Sequence, residues 1–357
     1  MKKAVSLILA FVLIAVLFAG CGGSPSSTVS PGETSARQFT DDVGRTVTVP
    51  QKVEKIAVSG PLTQIYILPI ASDLMVGYAN EFSMDASKYI NADFLKLPSL
   101  GQLYGGKGTM DLEALLAAAP DVVIDVGEPK GNIVEDLDKL TEQTGIPFVH
   151  INATVETSPE AYRKLGDLLS RQDKAEQLAT YLEGIYSEVT AIMEKVDADG
   201  ARKTMLYCLG DKGLNVLAEK SFHAETINEV AKNAAELDDV QSSGDGNEVD
   251  MEQLILWNPD VIVFAPESVY SEVGNEVTWQ QLDAIKNGSY YETPFGPYGW
   301  LQSPPAVQRY LGLMWLCSIL YPDYCTYNLS DKVIEYYKLF YDYDLTQAEF
   351  AAMTANS

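Results

Sequence analysis

The sequence predicts an α/β fold of two similar lobes, each a mainly parallel sheet with flanking helices, joined by one long helix with a cleft between the lobes. Three observations carry this expectation. In Asp173–Val196, the apolar residues Leu178, Leu182, Ile185, Val189, Ile192 and Val196 recur at the three-and-four spacing of one helical face. Asp173 is expected to cap its start, and Gly200 waits just past its end. Second, the segment DLEALLAAAPDVVIDVG at 111–127 returns as DMEQLILWNPDVIVFAP at 250–266, matching Asp111 with Asp250, Glu113 with Glu252 and Pro120-Asp121 with Pro259-Asp260. Two copies in one order, on either side of the long helix, indicate duplicated lobes. Third, apolar strand-like runs alternate with helical patterns in both halves, which is the signature of a parallel sheet.

The chain in order refines this. Lys2 and Lys3 precede an apolar run that ends in Leu17-Phe18-Ala19-Gly20-Cys21. Residues 1–20 read as a secretory signal, too short for a membrane span, and the run before Cys21 resembles the lipobox of bacterial lipoproteins. Residues 21–37 are rich in Gly, Ser, Thr and Pro, cannot bury a core, and read as a lipidated tether. The N-terminal lobe is expected over 38–157. It opens with a hairpin at Gln38–Pro50, followed by the strand Lys55–Ser59, a helix from about Thr63 and a strand at Val76–Tyr78. The duplicated segment, a helix near 133–144 and the strand Pro147–Ile151 complete it. Linking helices fill 158–197. The C-terminal lobe, 198–357, restarts with the strand Thr204–Leu209, a helix over Ala224–Asn233 and the second duplicated segment. An aromatic, Gly/Pro-rich stretch at 285–305 precedes helices at Ala306–Leu320 and about 330–343.

Composition narrows the function. A formal net charge of −25 argues against nucleic acid and against electrostatic binding to anionic lipid. Cys208 lies in an apolar run as a small hydrophobe, while Cys317 and Cys325 flank a helix end where pairing in an oxidising compartment is an open alternative. With only His150 and His223 available, a bare divalent metal site is not expected, and no cofactor is. GxSxG, HExxH and P-loop patterns are absent. A hydrolase using two carboxylates has no local spacing and stays a rival class, since such pairs leave no motif.

The signal and Cys21, DDVGRTVTVP, the two duplicated segments, the long helix and SPPAVQRYLGLMWLCSILYPD together resemble the substrate-binding proteins of ABC importers built on a single rigid interdomain helix. Members of that family deliver ferric siderophores, haem or corrinoids. The resemblance, over residues 39 to 345, implies a monomeric lipoprotein at the outer face of the cytoplasmic membrane. It would capture a small ligand between its lobes and dock on a permease. It also implies that a glutamate on each lobe pairs with permease arginines, and Glu113 and Glu252 are the matching positions. Taken singly, each is equally an acid favoured by a helix dipole.

In open α/β sheets, ligands bind at the carboxyl ends of the strands. This names Ser59, Pro61, Leu62, Tyr104, Lys107, Glu128 and Lys130 in the first lobe. In the second it names Asp211, Lys212, His223, Tyr298, Trp300 and Arg309. The basic members suggest an anionic ligand, and Tyr298 and Trp300 offer flat apolar walls for a chelate's organic shell. Lysines on polar loops are equally solvated residues, and aromatics near Pro304-Pro305 equally core. An iron chelate is the leading expectation, and a tetrahedral oxyanion such as molybdate is the alternative, suited to glycine-rich loops and helix amino termini.

Overall fold

In the computed structural model, residues 35–81, 86–104, 109–241, 244–302 and 304–357 are described. The signal-like segment, Cys21, the tether up to residue 34 and Lys107 lie outside them. The first element is the expected hairpin, β1 (Ala36–Thr40) and β2 (Thr46–Pro50), paired antiparallel. Its turn carries DDVGR for a physical reason. The Asp41 carboxylate accepts from Arg45 at 2.7 Å, and Arg45 also donates to the Phe148 carbonyl at 2.7 Å. The Asp42 amide donates to the His150 carbonyl at 3.0 Å, which fastens the hairpin to the first sheet.

That sheet is parallel, in the order β3 (Ile56–Val58), β4 and β5, with α1 (Pro61–Ala71) following β3. Helix α2 (Leu112–Ala118) leads into β4 (Val122–Gly127), and α3 (Ile133–Thr144) into β5 (Phe148–Asn152). The strand expected at Val76–Tyr78 is reduced to isolated bridges, Met75 with Ile56 and Tyr78 with Ser99. The segment changes partner at Gly77: the Val76 amide donates to the Ile56 carbonyl and the Tyr78 amide to the Pro98 carbonyl, both at 3.0 Å, so neither pairing extends past a single bridge.

Helices α4 (Ser158–Leu169) and α5 (Gln172–Ala198) connect the halves. At 1.5 Å per residue, the 27 residues of α5 extend about 40 Å. All six residues of the expected apolar face are buried, and the helix packs against α4 on one side and α10 (Arg309–Leu320) on the other. The start differs from expectation. The helix begins at Gln172 after Arg171 with no side-chain cap bond, so Asp173 lies inside the first turn, where its charge suits the dipole. Gly200, at φ +65°, ends it as expected.

The second sheet contains β6 (Thr204–Leu209), β7 (Asn215–Val216), β8 (Lys232–Asn233), β9 (Asn247–Glu248), β10 (Val261–Phe264) and β11 (Tyr290–Glu292). Strands β8, β6, β10 and β11 run parallel, whereas β7 pairs antiparallel with β6 and β9 antiparallel with β7. Helix α6 (Glu225–Val230) is shorter than the Ala224–Asn233 expected. Its last residues are drawn into the sheet, where the Lys232 amide donates to the Lys203 carbonyl and the Ala234 amide to the Met205 carbonyl, both at 2.9 Å. Helix α7 (Met251–Trp257) precedes β10, with α8 (Tyr270–Val273) and α9 (Asp283–Lys286) after it. Helix α10 starts at Arg309 rather than Ala306. Beyond α11 (Leu329–Tyr341) comes an unexpected α12 (Gln347–Met353), opened by a Thr346/Glu349 capping box.

The duplicated segments are structurally equivalent. Asp111 caps α2 through the Ala114 amide, and Asp250 caps α7 through the Gln253 amide. Each helix ends in a left-handed residue, Ala119 or Asn258. The following aspartates act alike: Asp121 accepts from the amides before β3, and Asp260 from the Thr204 amide that opens β6. Pro-Asp therefore fixes the height of the central strand against its neighbour in both lobes. Cys317 and Cys325 carry free thiols, so the pairing alternative is not realised. Among the described residues no helix is long and apolar enough to cross a membrane.

The α4–α5 elbow gives a paired prediction. A Cβ on Gly166 would meet the Ala175 Cβ at 2.4 Å, while one on Gly184 in mid-α5 meets nothing. Gly166→Ala should destabilise by about 1–3 kcal/mol through overpacking. Gly184→Ala should stabilise by about 0.5–1 kcal/mol through helix propensity. Urea unfolding of both variants measures the opposite shifts; equal signs would contradict the packing described.

Candidate ligand site

A cavity of about 780 Å³ opens at the carboxyl ends of β6, β10 and β11, where the strand-end rule puts ligands. Leu209 and Gly210 follow from β6, Ala265, Pro266 and Glu267 from β10, and Glu292 and Thr293 from β11. Asp245, Phe295 and Gln302 add side walls. The far wall is the carboxyl-terminal segment, Ala352, Met353 and Asn356. All these residues follow residue 208, so this cavity belongs to the second lobe's side of the cleft.

The terminal segment is held at both ends. Glu349 pairs with Lys88 of the first half at 2.5 Å and accepts from Tyr343 at 2.6 Å. At the other end the Glu292 amide donates to the Asn356 carbonyl at 2.9 Å, and the Asn356 side chain donates to the Glu292 carboxylate at 2.6 Å. Together, Lys88 and Tyr343 hold the Glu349 carboxyl well below the usual carboxylate range. Helix α12 thus runs from one half of the chain to the edge strand of the other.

The charge of the cavity differs from the anion-binding expectation. Asp245, Glu267 and Glu292 line it, and among the described lining residues there is no Lys or Arg. The three carboxylates do not converge on a point that would hold a metal ion. Glu267 sits at φ +60°, an uncommon backbone conformation for a side-chain-bearing residue and one that puts strain at the rim.

The basic residues expected to bind are placed elsewhere. Arg309 is 1% exposed. Its guanidinium pairs with Glu225 at 2.5 Å and lies over the Phe222 ring at 4.9 Å, leaving Nη2 without a partner. Lys212, with Asp211, lines a separate cavity of about 270 Å³ beside Met251 and Trp279. Both were expected in the cleft; the left-handed turn at Gly210 and Gly213 instead directs Asp211 and Lys212 toward α7. Lys130 is exposed and 3.7 Å from Glu128.

Several other expected residues are structural. Ser59 is buried and donates to Asp125, which in turn binds His150 Nδ1 at 2.7 Å, forming a polar row under the first sheet's strand ends. Trp300 is fully buried core, because Gly312 of α10 packs directly on its backbone. Tyr104 donates to Asp136 at 3.3 Å. Pro61 opens α1, and Leu62 packs against Gly127. Tyr298 is half-buried, packed on the core.

His223 lies closer to the cavity. Its Nδ1 is 3.1 Å from Oε1 of the lining residue Gln302. Burial lowers its pKa, with the positive charges of Arg309 and Lys130 adding to the effect. Since Lys130 belongs to the first half, the field at His223 reaches across the cleft.

The residues that reasoning from sequence missed include Asp245, Glu292, Gln302, Met353 and Asn356. Glu292 follows the strand-end rule, but β11 is only three residues long and reads as part of an aromatic loop. No local signal marks Met353 or Asn356, because the fold alone brings them to the cavity.

A two-sheet α/β chain with a single connecting helix and a strand-end cavity is a solute-binding protein by architecture. The chain belongs to the periplasmic binding protein family, whose model matches residues 67–296. It is 24% identical over 348 residues to the molybdate-binding protein MolA of Haemophilus influenzae, covering 88% of this chain and 93% of that protein. Its fold matches an ABC transporter solute-binding protein from Sulfurospirillum deleyianum with a TM-score of 0.82 and 28% identity, over 89% of this chain and 99% of the other. MolA bound to molybdate superposes with a TM-score of 0.68 and 20% identity, over 87% and 99%.

His223 yields a pH prediction. Its native pKa lies below the usual value of about 6.5, so the unfolded chain takes up the proton first as pH falls. The native state should therefore keep its full stability above about pH 6.5 and lose stability as pH falls from there through the depressed value. His223→Gln should flatten this acid limb in urea titrations at pH 5 and 7.5. An unchanged difference between the two pH values would remove His223 as its source.

Proposed function

We propose that this chain is an extracytoplasmic, lipid-anchored receptor that captures an organic metal chelate in the cavity of its second lobe and delivers it to an ABC permease. The observation that carries the reading is the cavity itself. Its volume of about 780 Å³ falls within the roughly 300–1,000 Å³ of sites for drug-sized ligands, of which a tetrahedral oxyanion fills a small part. Phe295 and Met353 supply apolar contact, while Asn215, Gln302 and Asn356 supply hydrogen bonds. Asp245, Glu267 and Glu292 favour a ligand that is neutral or positively charged over one carrying several negative charges. Anchoring through Cys21 follows from the signal and tether pattern of residues 1–37.

A second reading, molybdate-type oxyanion binding, has its own support. MolA is a molybdate-binding protein, and here the Arg309 guanidinium is buried with Nη2 unpartnered. Calorimetry separates the two. A cationic ferric trihydroxamate should bind more tightly than an anionic ferric tris-catecholate, and molybdate should give no heat. Tightest binding by molybdate, abolished in Arg309→Met, would replace the first reading with the second.

Docking is proposed to use Glu113 and Glu252, exposed in the first turns of the equivalent helices α2 and α7. Paired carboxylates, one per lobe, suit a permease with two basic pockets. Charge reversal there places like charges together, at a cost of several kcal/mol. Glu113→Lys or Glu252→Lys should abolish uptake of the bound ligand in cells and leave ligand affinity unchanged. Uptake at the normal rate would reduce both residues to dipole-satisfying acids.

A further inference from the structure

The described residues expose five large apolar side chains: Leu116, Val134, Leu256, Val277 and Phe295. Phe295 is accounted for by the cavity. The other four divide two to each lobe. Leu116 is 48% exposed and lies three residues after Glu113 on α2; Leu256 is 77% exposed and lies four residues after Glu252 on α7. Three- and four-residue spacings both bring side chains to one helical face. Each acid thus has a leucine beside it, one turn down the same helix. Val277 is flanked by Glu276 and Thr278, which share a small cavity with Met251 at the start of α7. Val134 follows Ile133, which packs in one cluster with Leu112 at the start of α2.

A single exposed leucine needs no explanation. One exposed leucine a turn beyond the acid in each of two equivalent helices is different, because the duplication itself does not supply it. Leu116 aligns with Ile255, and Leu256 with Ala117, so the exposed leucine is reached by different positions in the two copies. Both helices are rigid presenters, capped by aspartate and tied by Asp121 or Asp260 to the adjacent strand.

We propose that Leu116 and Leu256 are permease contacts, each inserting beside its glutamate into an apolar rim around a basic pocket. This rests on the docking reading given above for Glu113 and Glu252. An apolar neighbour excludes water from the charge pair and so strengthens it, the arrangement by which rims of near-neutral contacts support a central anchor. The charge selects the occupant. A second copy of this chain would bring acid against acid, and an anionic lipid surface is likewise repelled by a chain of net charge −25.

The test uses the full-length lipidated protein in membranes of its own host, with Cys325→Ser removing the half-buried thiol. Leu116→Cys, Leu256→Cys and, as control, Glu194→Cys on the outer face of α5 each receive a maleimide-linked benzophenone and are irradiated. The expected product is a cross-link from both leucine positions to the transmembrane subunit of an ABC permease, several-fold above the Glu194 position. Adding Glu113→Lys or Glu252→Lys should remove it. Cross-links to a second copy, to lipid alone, or at the control level would overturn the leucine assignment. Leucine cross-links that persist at full yield after charge reversal would leave that assignment standing and overturn the role of the glutamates. In parallel, Leu256→Ser should weaken co-purification of the permease with thermal unfolding unchanged; equal recovery would count against the proposal.

Discussion

The two halves meet on a buried charge. Glu225, at the start of α6, accepts from the Val155 amide at 2.7 Å with one carboxylate oxygen and from Arg309 with the other. Val155 comes just after the last strand of the first sheet, and Arg309 opens α10 of the second half. The Tyr310 hydroxyl donates to the Val155 carbonyl, so both backbone polar groups of Val155 are engaged from the opposite lobe. Removing Glu225 would leave the Arg309 guanidinium buried and without its charge partner, a penalty of about 3–5 kcal/mol. Together with the continuous helix α5 against α4 and α10, this junction fixes the lobes at their base. The cleft above it inherits a defined width, and the equivalent faces of α2 and α7 a defined separation.

Much of this organisation is legible in the sequence because it depends on local pattern. The apolar stripe of α5 needs only its own spacing. The duplicated segments declare a cap, a helix, a Pro-Asp stop and a buried strand within seventeen letters, and the structure uses each one for the same purpose twice. What stays illegible depends on pairing partners. The strand expected at Val76–Tyr78 has the composition of a strand, yet finds only single bridges. Strands β8 and β11 are too short to show any periodicity and exist because β6 and β10 offer them an edge. Asp173 has the chemistry of a cap, but the elbow with α4 puts the cap position at Arg171, two residues earlier.

The site divides along the same line. Gly210 and Pro266-Glu267, which directly follow β6 and β10, do line the cavity, because strand ends are local features. The sign of its charge is not local. A lysine or arginine in a loop says nothing about whether it faces a ligand, another carboxylate or a different groove. Arg309 turns inward to Glu225, Lys212 outward past Gly213, and the carboxylates that do face the cavity, Asp245, Glu267 and Glu292, come from three separate segments. On a chain with twice as many acids as bases, an uncommitted basic residue is rare, and most find a partner.

The terminal segment has a practical consequence. Asn356 bonds to Glu292 on the cavity rim, with Met353 behind it. Any polypeptide fused after Ser357, an affinity tag or a fluorescent reporter, begins at the mouth of the ligand cavity and competes for the hydrogen bonds that hold its wall. Affinities measured on a protein tagged at that end would describe a different receptor. No residue of the hairpin that opens at Ala36 lines the cavity, so a handle placed ahead of it leaves those bonds as they are.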